Sequence, residues 1–139
     1  MQKRTIQAQI RQRIQYDQEI DHEEWQFEHS AELIELRSYT KLTYQDAQKD
    51  LIELKWQYNP LSGQPTLIIK QPAYTLVFDP FQKTLTHYQT PQGVWQLEVE
   101  TKHLSWEQVG DQQQVTVLYS TKLNEKPFGK YEYQLIYNG

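Results

Sequence analysis

Apolar side chains recur at every second position through most of this chain, and that period commits it to β-strands with one buried face. The clearest stretch sets Ile52, Leu54, Trp56 and Tyr58 against Glu53, Lys55 and Gln57. Trp95, Leu97 and Val99 alternate with Gln96, Glu98 and Glu100 in the same way, as do Val115, Val117 and Tyr119, and the closing Tyr131, Tyr133, Leu135 and Tyr137. The first segment places Ile6, Ala8, Ile10, Ile14 and Tyr16 on even positions, interrupted by Gln12. Ile6, Ile10 and Ile14 also lie four apart, so a helical stripe competes with the strand, and β-branched Ile favours the strand.

The phase changes once within the next segment. Trp25, Phe27, Ala31 and Leu33 are odd, whereas Ile34 and Leu36 are even. A one-residue shift turns every later side chain to the other sheet face, which predicts a β-bulge or sharp bend near Leu33. A short helix over 31–37 is the alternative, with Ser30 as its only cap. Turn residues punctuate the rest: Asn59-Pro60 to Gly63, Asp79-Pro80, Thr90-Pro91-Gln92-Gly93, Gly110-Asp111 and Asn124 to Gly129. These set dihedrals that strand residues adopt only at a cost, so the connections are short hairpin loops. An open sheet of about eight or more strands would leave bare edges and an uncovered apolar face, and closure removes both. The chain is therefore read as all-β, a single domain over 1–139 forming a small antiparallel closed β-barrel, with a sandwich as the competing architecture.

Composition narrows the function classes. The 139 residues include 10 Tyr and 4 Trp but no Cys. The core is thus aromatic-rich, while disulfides, thiolate metal ligands and thiol nucleophiles are all excluded. Lack of Cys suits a reducing compartment, and a cytoplasmic protein is expected. The basic start, Met1 to Gln7, leads into no apolar run of signal-peptide length. Runs such as Leu67-Ile68-Ile69 fall far short of the ~20 residues of a membrane helix, so no membrane association is expected. A net charge of −4 argues against nucleic acid as a partner. Lys3, Arg4, Arg11 and Arg13 form a solvated strand face, with no alternating aromatics to stack bases.

The run Pro80-Phe81-Gln82-Lys83-Thr84-Leu85-Thr86-His87-Tyr88-Gln89-Thr90-Pro91-Gln92-Gly93, continuing through Leu97-Glu98-Val99-Glu100-Thr101-Lys102, resembles the uncharacterised YwiB-like family of Gram-positive bacteria. A strand ending in Tyr-x-Thr-Pro-x-Gly, followed by a Leu-rich strand ending in Thr-Lys, marks that family. The final Tyr133-Gln134-Leu135-Ile136-Tyr137-Asn138-Gly139 resembles its last strand, and 66–78 its central strand pair. The resemblance implies a calycin-like barrel, the architecture of lipocalins, in a family of unassigned role. It supplies no catalytic residues.

No motif for chemistry emerges. His22-Glu23-Glu24-Trp25-Gln26 begins like a zinc-protease helix but lacks the second His, and no phosphate loop, nucleophile elbow or Ca²⁺ loop is present. Glu98 and Glu100 share a strand face opposite Trp95, Leu97 and Val99, so they read as surface charges. No catalytic residue, metal or cofactor is assigned. The aromatic set is the better lead, because inward side chains of a small barrel either fill it or leave room for one ligand. A small apolar or amphipathic ligand would meet Trp25, His29, Tyr44, Trp56, Tyr74, His87, Trp95 and Tyr119, with Gln12 as a further polar group and Tyr58 and Phe78 also facing in. Alternatively, the core is filled and the protein, a monomer or homodimer, meets partners through exposed Tyr39, Trp106, Phe128 or Tyr131.

Overall fold

The computed structural model describes residues 2–16, 23–58, 60–61 and 63–138, with the side chain of Gln2 left aside. Its strands, in chain order, are β1 (Gln2–Tyr16), β2 (Glu23–Glu35), β3 (Thr40–Gln45), β4 (Leu51–Tyr58), β5 (Pro65–Lys70), β6 (Thr75–Phe78), β7 (Thr84–Thr90), β8 (Gly93–Val109), β9 (Gln112–Leu123) and β10 (Lys126–Asn138). They form one 10-stranded antiparallel sheet in the order β6-β5-β4-β3-β2-β1-β10-β9-β8-β7. Sequence neighbours pair throughout except at β6 and β7. The two chain ends are joined by β1 and β10, which pair from Ala8 opposite Tyr137 to Tyr16 opposite Gly129. The first segment is thus a strand, and the helical reading of its Ile spacing falls away. Among the described residues, no helix is long and apolar enough to cross a membrane.

β6 and β7 share no backbone ladder, yet the sheet curls until they meet. Thr84 Oγ1 donates to the Val77 carbonyl at 2.6 Å, and Thr86 Oγ1 donates to the Thr75 carbonyl at 2.9 Å. Side-chain hydroxyls therefore bridge the seam of a nearly closed barrel. This inverts the expected facing of β7. Thr84, Thr86 and Tyr88 oppose Val99, Leu97 and Trp95 of β8 and face inward, whereas Leu85 is 58% exposed and His87 is exposed beside it. His87 is accordingly corrected from an interior to an outer position: the inward threonines are polar because they bond across the seam.

The bends also differ from expectation. The registers of β2 with β1 and with β3 run through Leu33 without a shift. Ile34 lies half-buried on the outer face and Leu36 belongs to the following turn, where its N–H donates to the Tyr39 carbonyl at 2.9 Å. The phase change near Leu33 thus marks a strand end. The register shifts fall between Thr101 and His103 on β8 and between Pro127 and Gly129 on β10. On β8 the inward residues accordingly switch from Leu97, Val99 and Thr101 to Leu104 and Trp106, as expected where a long strand bends around a barrel.

Two-residue turns tie the long hairpins. Gly93 at φ 119° ends the Pro91-Gln92 turn, while Asn124 and Glu125 both adopt positive φ, 49° and 71°, between β9 and β10. Positive φ at both central residues is the tight-hairpin geometry whose twist matches that of the strands. The core runs through the barrel from Ala8, Leu33, Leu42 and Leu54 to Leu67, Phe78, Val117 and Leu135. Its centre is filled. β3 pairs with β2 only from Ala31 to Glu35, although β1 stays paired with β2 as far as Ile14 opposite Glu23. The β1–β2 hairpin therefore stands above its β3 neighbour, giving the barrel a high wall and a low one at that end.

Candidate functional site

The two barrel ends differ. At the end away from the β1–β2 hairpin, aromatic rings pack on one another: Trp106 meets Trp56 edge-on at 5.9 Å and stacks on Tyr58 at 5.5 Å, and Tyr137 lies 6.0 Å from Trp56. Trp56 is 1% exposed and belongs to the packed core, so it offers nothing to a ligand. Trp106, expected on the surface, donates from Nε1 to Gln113 Oε1 at 3.1 Å. Tyr39, another expected anchor, carries Lys55 Nζ over its ring at 4.2 Å.

At the hairpin end a cavity of about 350 Å³ opens where the high wall meets the low one. Phe27 and His29 of β2 form one side, and the Asp46, Ala47 and Gln48 turn after β3 forms the other. Ile52 and Ile69 supply apolar surface, while Gln12, Tyr44, Gln71 and Tyr133 add polar groups. The local sequence explains the opening. Asp46 Oδ1 accepts from the N–H groups of Gln48 and Asp50, both at 2.9 Å, turning the chain sharply away from β2. An Asp side chain bonded to backbone two residues on is a recurrent turn former.

Aromatic contacts order the site. His29 stacks on Tyr44 at 4.6 Å with planes 24° apart, and Phe27 lies 6.0 Å from His29. Tyr133 is 6% exposed, and its hydroxyl is buried without a hydrogen-bond partner. Burial pushes the Tyr133 phenol well above the usual tyrosine range, and the neighbouring Tyr44 adds to the effect. Tyr44 is raised too, chiefly by burial, with the charge of Asp46 contributing. The two phenols sense each other, but Tyr133 does not meet hydrogen-bond geometry. Both stay protonated as neutral hydroxyls near neutral pH.

Of the ligand-contacting residues expected from the sequence, only His29 and Tyr44 line this cavity, together with Gln12. Tyr74, Tyr88 and Trp95 form a separate cluster, with ring centroids 4.9 Å and 6.2 Å apart along it. Tyr119 sits between Phe78 at 4.5 Å and Tyr131 at 4.7 Å. That stack takes Tyr131 out of the expected set of surface anchors, and Phe128 meets Tyr16 edge-on at 5.5 Å. Trp25 faces inward but is 37% exposed, because it lies on β2 beyond the reach of β3. Its interior placement is corrected to the open rim. His22 lies outside the described residues. Sequence reading passed over Asp46 and Tyr133 as site residues. Tyr133 was legible as an inward residue of the last strand, but nothing in that pattern placed it beside Tyr44.

Other features carry less. A larger depression, about 760 Å³, mixes Arg13, Lys102, Lys122 and Lys130 with Glu100 and Glu132. Lys102 Nζ is bound to Glu100 at 2.8 Å, and that hydrogen bond holds the Glu100 carboxyl below its ordinary range. Charges of both signs on an open face select no ligand. Among the described residues, no group of three or more His, Asp and Glu could hold a metal ion.

The fold and this mouth define a class: a ten-stranded, nearly closed antiparallel barrel with a filled centre and a polar, aromatic opening at one end. A family model matches residues 8–135, and the chain belongs to that family, the domain of unknown function DUF1934. The crystal structure of ywiB protein from Bacillus subtilis is similar to it with a TM-score of 0.72 and 13% sequence identity, covering 99% of this chain and 92% of that one. At that identity the likeness is one of fold. No curated protein matches the chain. The YwiB-like resemblance read from the Tyr88 to Gly93 segment agrees with both the family and the structural match.

Proposed function

We propose that the protein binds a small amphipathic molecule at the open mouth of its barrel. The observation that carries this reading is the cavity between Phe27, His29 and the Asp46 turn, with the unpartnered Tyr133 hydroxyl buried at its floor. Its volume of about 350 Å³ falls at the lower end of small-molecule sites. Phe27, Ile52 and Ile69 would take the apolar part of the ligand, and Gln12, His29 and Tyr44 its polar part. The filled centre excludes a long chain threading the barrel, so the ligand is compact. On this reading the barrel is calycin-like in use as well as in form, and a Cys-free chain suits work in the cytoplasm. Native mass spectrometry of protein taken from cells, together with NMR titration against a panel of small amphiphiles, tests it. A bound molecule should shift Phe27, His29 and Tyr44 while leaving Trp56 and Trp106 unmoved. A ligand-free mass, with no panel member shifting those residues, would sink the proposal.

A second reading rests on a different observation. Among the described residues, β2 has no ladder partner on its β3 side from Trp25 to Ser30, and Trp25 and Phe27 stand 37% and 44% exposed there. An unpaired edge with aromatic anchors suits strand addition by another chain, a second copy included. A mass by light scattering that stays monomeric at every concentration, with no partner lost on Trp25→Ala, would count against it.

A further inference from the structure

We infer that the mouth cavity selects a small alkylammonium ion over neutral or anionic molecules of the same size; this rests on the small-molecule reading above. The charge of the lining sets the preference. Asp46 is the one formally charged side chain lining the cavity, and neither Lys nor Arg lines it. A carboxylate ligand would therefore enter beside a like charge with no cation to receive it. Phosphate-bearing ligands meet the same objection.

Aromatic faces supply the second element. Phe27, His29 and Tyr44 stand in sequence along one wall, with His29 stacked on Tyr44 at 4.6 Å. The negative face of a benzene or phenol ring attracts a cation, most strongly where water is excluded, and rings beside a carboxylate form the usual cage for alkylammonium groups. Tyr44 is buried and Asp46 half-buried, so both face the cavity from partly desolvated positions. The Asp46 charge reaches the Tyr44 phenol, raising it, so carboxylate and ring share one local field.

Asp46 is also held in place. Its Oδ1 is engaged by the N–H groups of Gln48 and Asp50, which holds the carboxylate in the turn that lines the cavity. The Tyr133 hydroxyl, buried and unpartnered, adds a neutral polar group below the ring wall. The cavity exceeds the bulk of a trimethylammonium group, leaving space for a short polar tail toward Gln12.

Calorimetric titration with choline, with its uncharged isostere 3,3-dimethylbutan-1-ol and with octanoate tests the inference. Choline should bind at least ~10-fold more tightly than the isostere, and octanoate should not bind. Asp46→Asn keeps the Oδ1 acceptor that shapes the turn, so it should remain folded and weaken choline about fivefold, the scale of a partly exposed ion pair, without changing the isostere. Phe27→Leu keeps the wall apolar but removes the ring, and should likewise weaken choline alone. If the isostere binds as tightly as choline, or octanoate binds best, the cation preference is overturned while small-molecule binding stands. If none of these probes binds, the cation preference is overturned as well, and the wider panel judges the parent reading separately.

Discussion

Closing the barrel through threonine hydroxyls has a measurable consequence. Thr86 is buried and donates to the Thr75 carbonyl, and Thr84 donates to the Val77 carbonyl at 2.6 Å. Valine matches threonine in shape, so Thr84→Val and Thr86→Val remove the hydrogen bonds with little change in packing. A net intramolecular hydrogen bond contributes about 1 kcal/mol, so each substitution should destabilise by about that amount and the pair by about 2 kcal/mol. The bonds lie two residues apart on β7 along one seam, so the double variant measures their coupling as well as their sum. Urea unfolding gives the free energies, and native-state hydrogen exchange should show faster opening of β6 and β7 amides with β1 and β10 unaffected. Leu85→Thr is the control. Leu85 lies outside, so its replacement should stay within about 0.5 kcal/mol, whereas an inward Leu would cost about 2–5 kcal/mol on truncation. Double-valine protein as stable as the parent, together with a costly Leu85→Thr, would refute the assignment of the β7 faces.

Further expectations follow from the same structure. Burial is the leading cause of the raised values of Tyr44, Tyr74, Tyr119, Tyr131, Tyr133 and Tyr137. The unfolded chain therefore loses these protons first, near pH ~10, and folding stability, complete below that pH, declines as pH rises toward the folded values. Each such tyrosine contributes a slope of about 1.4 kcal/mol per pH unit in that window, so urea midpoints should drop steeply above pH ~10, and less steeply in Tyr133→Phe; a flat profile contradicts this. Glu125 at φ 71° sits where glycine is unstrained, so Glu125→Gly should raise stability by about 1 kcal/mol in thermal unfolding. Trp56→Ala should cost about 3–5 kcal/mol, since Trp56 is 1% exposed at the centre of the aromatic end; a loss under ~1 kcal/mol would mean that end is loosely packed.

Much of this architecture is legible in the chain. Alternation fixes which face of β4, β9 and β10 is buried, because a strand with one wet face must segregate its side chains at period two. Short Gly- and Pro-bearing stretches locate hairpins for the same local reason, as at Pro91-Gln92-Gly93. The site is less legible. His29 and Tyr44 could be chosen as inward residues, but their stacking depends on the register of β2 with β3, and Asp46 enters only because the turn after β3 closes early. His87 and Trp25 mislead for opposite reasons. Thr84 and Thr86 hide a polar inward face because they bond across a seam, and Trp25 faces inward on a wall that its neighbour does not cover.

Period and turn chemistry are local properties, so the sequence alone determined the antiparallel strands, the aromatic core and the buried faces of strands such as β4, β9 and β10. Where the sheet closes, which strand stands taller and which buried groups share a cavity depend on contacts between residues far apart in the chain. Those were decided by the tertiary structure, because a hydroxyl finds its carbonyl, and Tyr133 finds Tyr44, only after the barrel has curled.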